Sequence, residues 1–299
     1  MKKTNLFLTC LALLLLSACN MPLQSTTLIP TVNPAESSAP LSTIFPTGLP
    51  SNLPTSVASM PGLTSTTLPT DIPQNLPTPI PLFRLVSLTT STSEESGKAP
   101  DYTLKTEIPV LQGVDDPRVK KFNEEVLQII QTGIDQFRQE LAAQPATPIA
   151  GGSFYSVKYE LVSPTGSNFL SLQIIVEGMS DGAAHPYHVT LSYNYDLEKG
   201  EQITVNQLFL HGVNPLQTIS DFCKAELDKR DIGFDGFGGG AEPTPENYAV
   251  WNLSSQGLVI VFNEYQVASY AAGPQTIIIP FEALGNIIKP GSALAEMKQ

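Results

Sequence analysis

The chain is predicted to be an α+β protein, an antiparallel sheet with helices packed on it, preceded by a disordered Ser/Thr/Pro-rich tether. Three observations lead there. Apolar residues alternate with polar ones in successive runs ending at Leu161, Val176 and Tyr195, which is the period of strands that keep one face wet. Two other stretches repeat at helical spacing, each opened by a capping side chain and a proline. Ahead of them lies a long tract that cannot bury enough apolar surface to offset its ordering entropy.

Residues 1–19 read as a lipoprotein signal peptide. Lys2 and Lys3 supply the positive end and Leu6 to Leu16 the apolar run, which falls short of the roughly 20 residues a membrane span needs. Leu16-Ser17-Ala18-Cys19 matches the bacterial lipobox. Cleavage before Cys19 and a diacylglyceryl thioether on its sulfur are therefore expected, because two acyl chains anchor stably where one does not. The expected location is extracytoplasmic, on the bacterial cell membrane.

Residues 20–100 hold more than half of the 26 prolines and almost no charge before Glu94 and Glu95. This composition predicts a linker, with a reach of about 250 Å if fully extended at roughly 3.1 Å per residue. The folded domain is expected over 101–299. It begins with a short strand from Tyr102 to Pro109. Asp116 then caps a helix with Pro117 at its first position, and Val119, Phe122, Val126, Ile130, Ile134, Phe137 and Leu141 share one face. Three alternating strands follow: Tyr155–Leu161, Leu170–Val176 and Tyr187–Tyr195. Asn214 and Pro215 open a second helix whose buried stripe is Leu216, Ile219, Cys223 and Leu227. Strands near 248–253, 258–262 and 276–279 complete the pattern, with a short helix from Phe281.

Charge narrows the partners. With 28 acidic against 16 basic residues, a formal net charge of −12, the protein repels phosphate backbones and favours cationic partners, so no nucleic acid is expected. Cys10 leaves with the signal and Cys19 is lipidated, so Cys223 stands alone and no intramolecular disulfide can form. At its helical position Cys223 reads as a small buried hydrophobe.

Catalytic and metal signals are weak. Gly178-Met179-Ser180-Asp181-Gly182 matches the serine-hydrolase elbow string, but that device needs a helix after the serine, and here Pro186 and an alternating run follow. His185 and His188 would point to opposite faces of a strand, so a shared metal needs the chain to bend at Pro186. Asp231, Asp235 and Glu242 sit at positions 1, 5 and 12 of a calcium-loop spacing, but Gly233 occupies position 3 and prolines stand where the exiting helix should start. No cofactor and no catalysis are expected.

Two stretches resemble a known family. One runs Asp181-Gly182-Ala183-Ala184-His185-Pro186-Tyr187, through the tyrosine strand and the Gly200 turn, to Ile203–Phe209. The other is Gly257–Gly273, closing on Ile279-Pro280-Phe281. Both resemble the extracytoplasmic domain shared by RsiV-type anti-sigma factors and PdaC-type peptidoglycan deacetylases. The resemblance implies a non-catalytic binding module. In the first branch the domain binds lysozyme; in the second it stands beside a separate catalytic domain. It makes a lysozyme-like protein or a peptidoglycan fragment the expected partner, with a peptidoglycan-modifying hydrolase as the alternative. The contact residues expected from the two motifs are His185, Tyr187, Tyr265 and Tyr270, each with core packing as its competing role.

Overall fold

Helix α1 (Pro117–Ala142) organises the first half of the domain. Asp116 accepts the Arg118 backbone N–H at 2.8 Å and fixes the first turn, and all seven apolar residues of its stripe are buried. Phe122 is fully buried and meets the rings of Tyr193 and Tyr195 edge-on at 5.6 and 5.4 Å. Truncating it to alanine would cost about 3–5 kcal/mol. The structure, a computed structural model, describes residues 80–147, 149–234 and 239–298. The signal peptide, Cys19 and the tract up to residue 79 lie outside the described residues.

The sheet under α1 has six strands in chain order: β1 (Ser87–Lys98), β2 (Asp101–Gln112), β3 (Ser153–Leu161), β4 (Phe169–Met179), β5 (Tyr187–Asp196) and β6 (Glu201–Gln202). All neighbours are antiparallel except β2 and β3, which run parallel. The expected antiparallel sheet thus carries one parallel step. Its cause is α1 itself, since a helix joining two adjacent strands returns the chain in the same direction.

The expected boundary at residue 100 is corrected. It falls in the turn of a hairpin, because β1 pairs with β2 along its whole length, from Ser87 opposite Gln112 to Lys98 opposite Asp101. The Ser/Thr-rich run that reads as tether is an exposed edge strand. Its stability comes from backbone pairing and from polar pairs such as Ser93 with Thr106 at 2.7 Å, not from an apolar face. A short 3-10 turn, Leu82–Arg84, precedes it and buries Leu82 in the α1 core.

A second, antiparallel sheet of β7 (Trp251–Ser254), β8 (Gly257–Phe262) and β9 (Gln275–Pro280) has its own core. Helix α2 (Pro215–Leu227), capped by Asn214, buries Ile219, Cys223 and Leu227 there. Burial pushes the Cys223 thiol up to about 12, so it is an inert thiol. The short helices α3 (Phe281–Leu284) and α4 (Ala293–Glu296) close the same core.

A buried polar seam joins the two sheets. Ser171 Oγ donates to Asn194 Oδ1 at 2.5 Å and accepts from Leu253 N–H at 2.8 Å. Asn194 Nδ2 donates to the Trp251 carbonyl, and Asn252 Nδ2 reaches Ser171 Oγ and the Leu172 carbonyl. Most polar groups of the seam pair with one another, Asn252 Oδ1 being left without a partner among the described residues, and the pairing fixes how β7 sits on β4 and β5.

Candidate functional site

The two sequence stretches singled out above meet in space. The first forms the turn between β4 and β5, and the second forms the loop 263–274 between β8 and β9. Side chains dock this loop on the outer edge of β5, where β6 does not reach. Asn263 donates through Nδ2 to the Thr190 carbonyl at 3.1 Å and accepts the Thr190 N–H at 2.8 Å, imitating one rung of a sheet. Glu264 accepts the His188 N–H at 3.1 Å and lies 2.7 Å from its Nδ1. The other ring nitrogen of His188 stands 3.4 Å from Glu177, so each nitrogen faces a carboxylate oxygen. An edge strand left bare would recruit other chains; here the His188 N–H and both backbone groups of Thr190 are occupied.

Where this loop meets the turn between β4 and β5, three of the four expected contact residues form one cluster. The His185 ring stacks on Tyr270 with centroids 3.9 Å apart, and Tyr265 lies 6.4 Å from His185 and 5.8 Å from Tyr270. Tyr265 Oη is 3.2 Å from His185 Nε2, His185 Nδ1 is 2.8 Å from the Pro186 carbonyl, and Tyr270 Oη donates to that same carbonyl at 2.9 Å. Partial desolvation, with Glu264 adding its charge, raises the Tyr270 phenol above its ordinary range, so it remains a donor.

Tyr265 is the most telling of the three. Its backbone sits at φ 64°, and among the described residues it is the one non-glycine residue with positive φ. That conformation costs a bulky L-residue about 1–2 kcal/mol. Yet the residue is 54% exposed, so packing does not repay the strain. A strained, exposed aromatic ring is a feature that points toward a binding role.

Tyr187 goes elsewhere. Gly178 is its direct partner across β4, and beyond Gly178 in the same row lies Tyr155 of β3. Tyr187 therefore faces α1, on the side of the sheet away from the cluster. The Pro186 step turns the chain between His185 and Tyr187, and His185 and His188 both end on the loop 263–274. They do not share a ligand set, since tyrosines engage one and carboxylates the other.

The remaining sequence signals resolve as follows. Ser180 lies in a turn closed by Ala183 N–H to the Ser180 carbonyl, and strand β5 rather than a helix follows it. Its neighbour Asp181 accepts backbone N–H groups from Ile149, Ala150 and Gly152, bonds that hold its carboxyl below the ordinary range. Asp235 lies outside the described residues, Asp231 is exposed, and Glu242 pairs with Lys224 at 2.8 Å. Among the described residues no group of three His, Cys, Asp or Glu is placed to hold a metal. No helix among them is long and apolar enough to cross a membrane. Sequence reasoning missed Asn263 and Glu264, which lie inside the second motif but look like ordinary loop polars.

Residues 206–282 match the family described as "Protein of unknown function (DUF3298)". That span carries α2, the second sheet and the docked loop. The peptidoglycan-N-acetylmuramic acid deacetylase PdaC of Bacillus subtilis is 30% identical over 111 residues, covering 36% of this chain and 24% of its own length. The immunogenic protein MPT64 of Mycobacterium tuberculosis is 22% identical over 127 residues, covering 42% of this chain and 54% of that protein. The chain thus spans about a quarter to a half of these relatives. A crystal structure of a DUF3298 family member from Bacteroides fragilis superposes with a TM-score of 0.54 at 16% identity, over 71% of this chain and 97% of that one, a likeness of fold. Residues 206–282 of the chain thus resemble the DUF3298 family, and over the length it matches the chain is similar to PdaC.

Proposed function

We propose that this chain is a lipid-anchored extracytoplasmic binding module that recognises a cell-envelope component or a lysozyme-like envelope hydrolase through the His185–Tyr265–Tyr270 surface. The observation that carries the reading is the strained, exposed Tyr265, held beside two further aromatic rings by a loop whose side chains are committed to β5. Aromatic side chains with polar tips lose little conformational freedom on binding and present both a ring face and hydrogen-bonding groups. The acidic balance of the chain favours a cationic partner such as a lysozyme, mainly through the association rate. Cys19 supplies the anchor in this reading. The resemblance to the DUF3298 family gives the surface its context, and the deacetylase activity named for PdaC is that of PdaC.

The test is calorimetry of the purified chain against lysozymes and soluble muropeptides at low salt. An affinity clearly tighter than about 1 mM for one of the two supports the reading. For a lysozyme, the on-rate should fall as salt rises while the off-rate changes little. Absence of binding to both classes at that concentration would overturn the reading.

A further inference from the structure

On the opposite side of the sheet, between α1 and strands β3 to β5, lies an open groove of about 330 Å³. The row Tyr155–Gly178–Tyr187 forms one end of it, and Val176 and Val189 of the next row form the floor. Two glycines make the room. A Cβ at Gly133 of α1 would collide with the Tyr155 hydroxyl, and one at Gly178 would collide with the ring of Tyr187. Glycine inside a helix and inside a strand is unfavourable for both elements. Here the missing side chains let the two phenols pack against the backbone of α1 and β4, in the wall of the groove.

The polar groups of the groove are incompletely used. Among the described residues neither Tyr155 Oη nor Tyr187 Oη has a hydrogen-bond partner within the protein. Glu140, on the last turns of α1, has no ion-pair partner there and accepts only from Gln136 at 3.2 Å. No basic side chain lines the groove. Phe137 stacks on Tyr155 with centroids 5.3 Å apart, so three aromatic rings, two phenol oxygens and one carboxylate surround the same space. Burial raises both phenols, Tyr155 to about 12, with Glu140 contributing in each case, which keeps them neutral.

We infer that this groove between α1 and the Tyr155–Gly178–Tyr187 row is a binding site for a primary alkylammonium group. Aromatic rings attract cations through their quadrupole, most strongly where water is partly excluded. The phenol oxygens accept N–H bonds, Glu140 neutralises the charge, and the valine floor takes the alkyl chain. The carboxylate disfavours an anion. Two sources would supply this group: a free amine, or a lysine side chain presented by another protein. The site lies on the face of the sheet away from the Tyr265 cluster and does not depend on that cluster's ligand.

The experiment is an NMR titration of the purified chain at low ionic strength, following the resonances of Tyr155, Tyr187 and Val189. The probes are n-butylammonium, its neutral counterpart 1-butanol, cadaverine, and Nα-acetyl-lysine amide. Butylammonium should bind with a Kd below about 10 mM, roughly tenfold or more tighter than butanol. Glu140→Gln and Tyr187→Phe should each weaken it by about fivefold or more at unchanged melting temperature. A preference for cadaverine would identify a free amine as the source, and a preference for the acetylated lysine amide a partner's lysine; either supports the site. Equal binding of butanol, indifference to both substitutions, or no response to roughly 50 mM butylammonium would overturn the inference.

Discussion

The platform at Tyr265 exists only while the loop 263–274 stays docked on β5, and Glu264→Ala tests that attachment. The side chain is 8% exposed and makes two bonds to His188, to its N–H at 3.1 Å and to its ring at 2.7 Å. A bond to a charged group is worth about 1.5–3 kcal/mol net. Water can enter once the carboxylate is gone, so the low end applies, and two bonds give about 3 kcal/mol. At 1.4 kcal/mol per factor of ten this is roughly a hundredfold in the ratio of docked to undocked loop. Hydrogen exchange reads it directly. The His188 and Thr190 amides point away from β4 and are held by the loop, whereas the alternate amides of Val189 and Leu191 pair with β4. In Glu264→Ala the His188 and Thr190 amides should exchange about a hundred times faster while Val189 and Leu191 hardly change. Unchanged protection at Thr190, or equal acceleration of all four, would refute the view that this carboxylate clamps the loop.

Further expectations follow from the same geometry. Tyr265→Gly removes about 1–2 kcal/mol of left-handed strain but adds about 0.5–1 kcal/mol of unfolded-chain entropy; its melting temperature should stay within a few degrees of wild type while ligand affinity is lost, and a large fall in melting temperature would make Tyr265 a structural residue instead. Limited proteolysis should stop between about Ile80 and Ser87, and a chain begun at Asp101 should melt lower and aggregate through the bared edge of β2; a stable monomer begun at Asp101 would show that β1 is dispensable. The Asp116 carboxyl, bonded to the Arg118 side chain and backbone, is held down to about 2. Its folded value lies below its unfolded one, so its contribution is present above the ordinary carboxylate range and disappears as pH falls toward 2. Asp116→Asn, a cap without a titrating group, should flatten that part of the stability–pH curve, and an unaltered slope would argue against the assignment. Mass spectrometry of the membrane fraction should find a diacylated N-terminus at Cys19, and a Cys19→Ala chain processed and retained by the same route would contradict it.

The elements legible in the sequence are those whose chemistry is local. Asp116-Pro117 and Asn214-Pro215 announce α1 and α2, and the apolar stripes after them are the residues found buried. Strand β1 was hidden because an exposed edge strand needs no apolar alternation, so its Ser/Thr composition looks like linker. The stretch between Pro81 and Pro100 contains no proline, and that was the available signal. For the site, the motifs supplied His185, Tyr265 and Tyr270 as separate candidates, but their stacking depends on a turn at Pro186 and a left-handed residue at Tyr265, neither of which periodicity reveals. The same turn sends Tyr187 to the other face. Asn263 and Glu264 are not legible in the sequence, because a side chain that substitutes for a sheet rung is recognisable only once the strand it completes is in place.

The most direct test of the central claim is to map the ligand surface by chemical-shift perturbation, adding lysozyme or soluble muropeptide to the isotope-labelled chain. The account predicts that the perturbed residues centre on His185, Tyr265 and Tyr270, and that Tyr265→Ala abolishes the perturbations at unchanged melting temperature. Perturbations centred elsewhere on the domain, with these three rings silent, would contradict it.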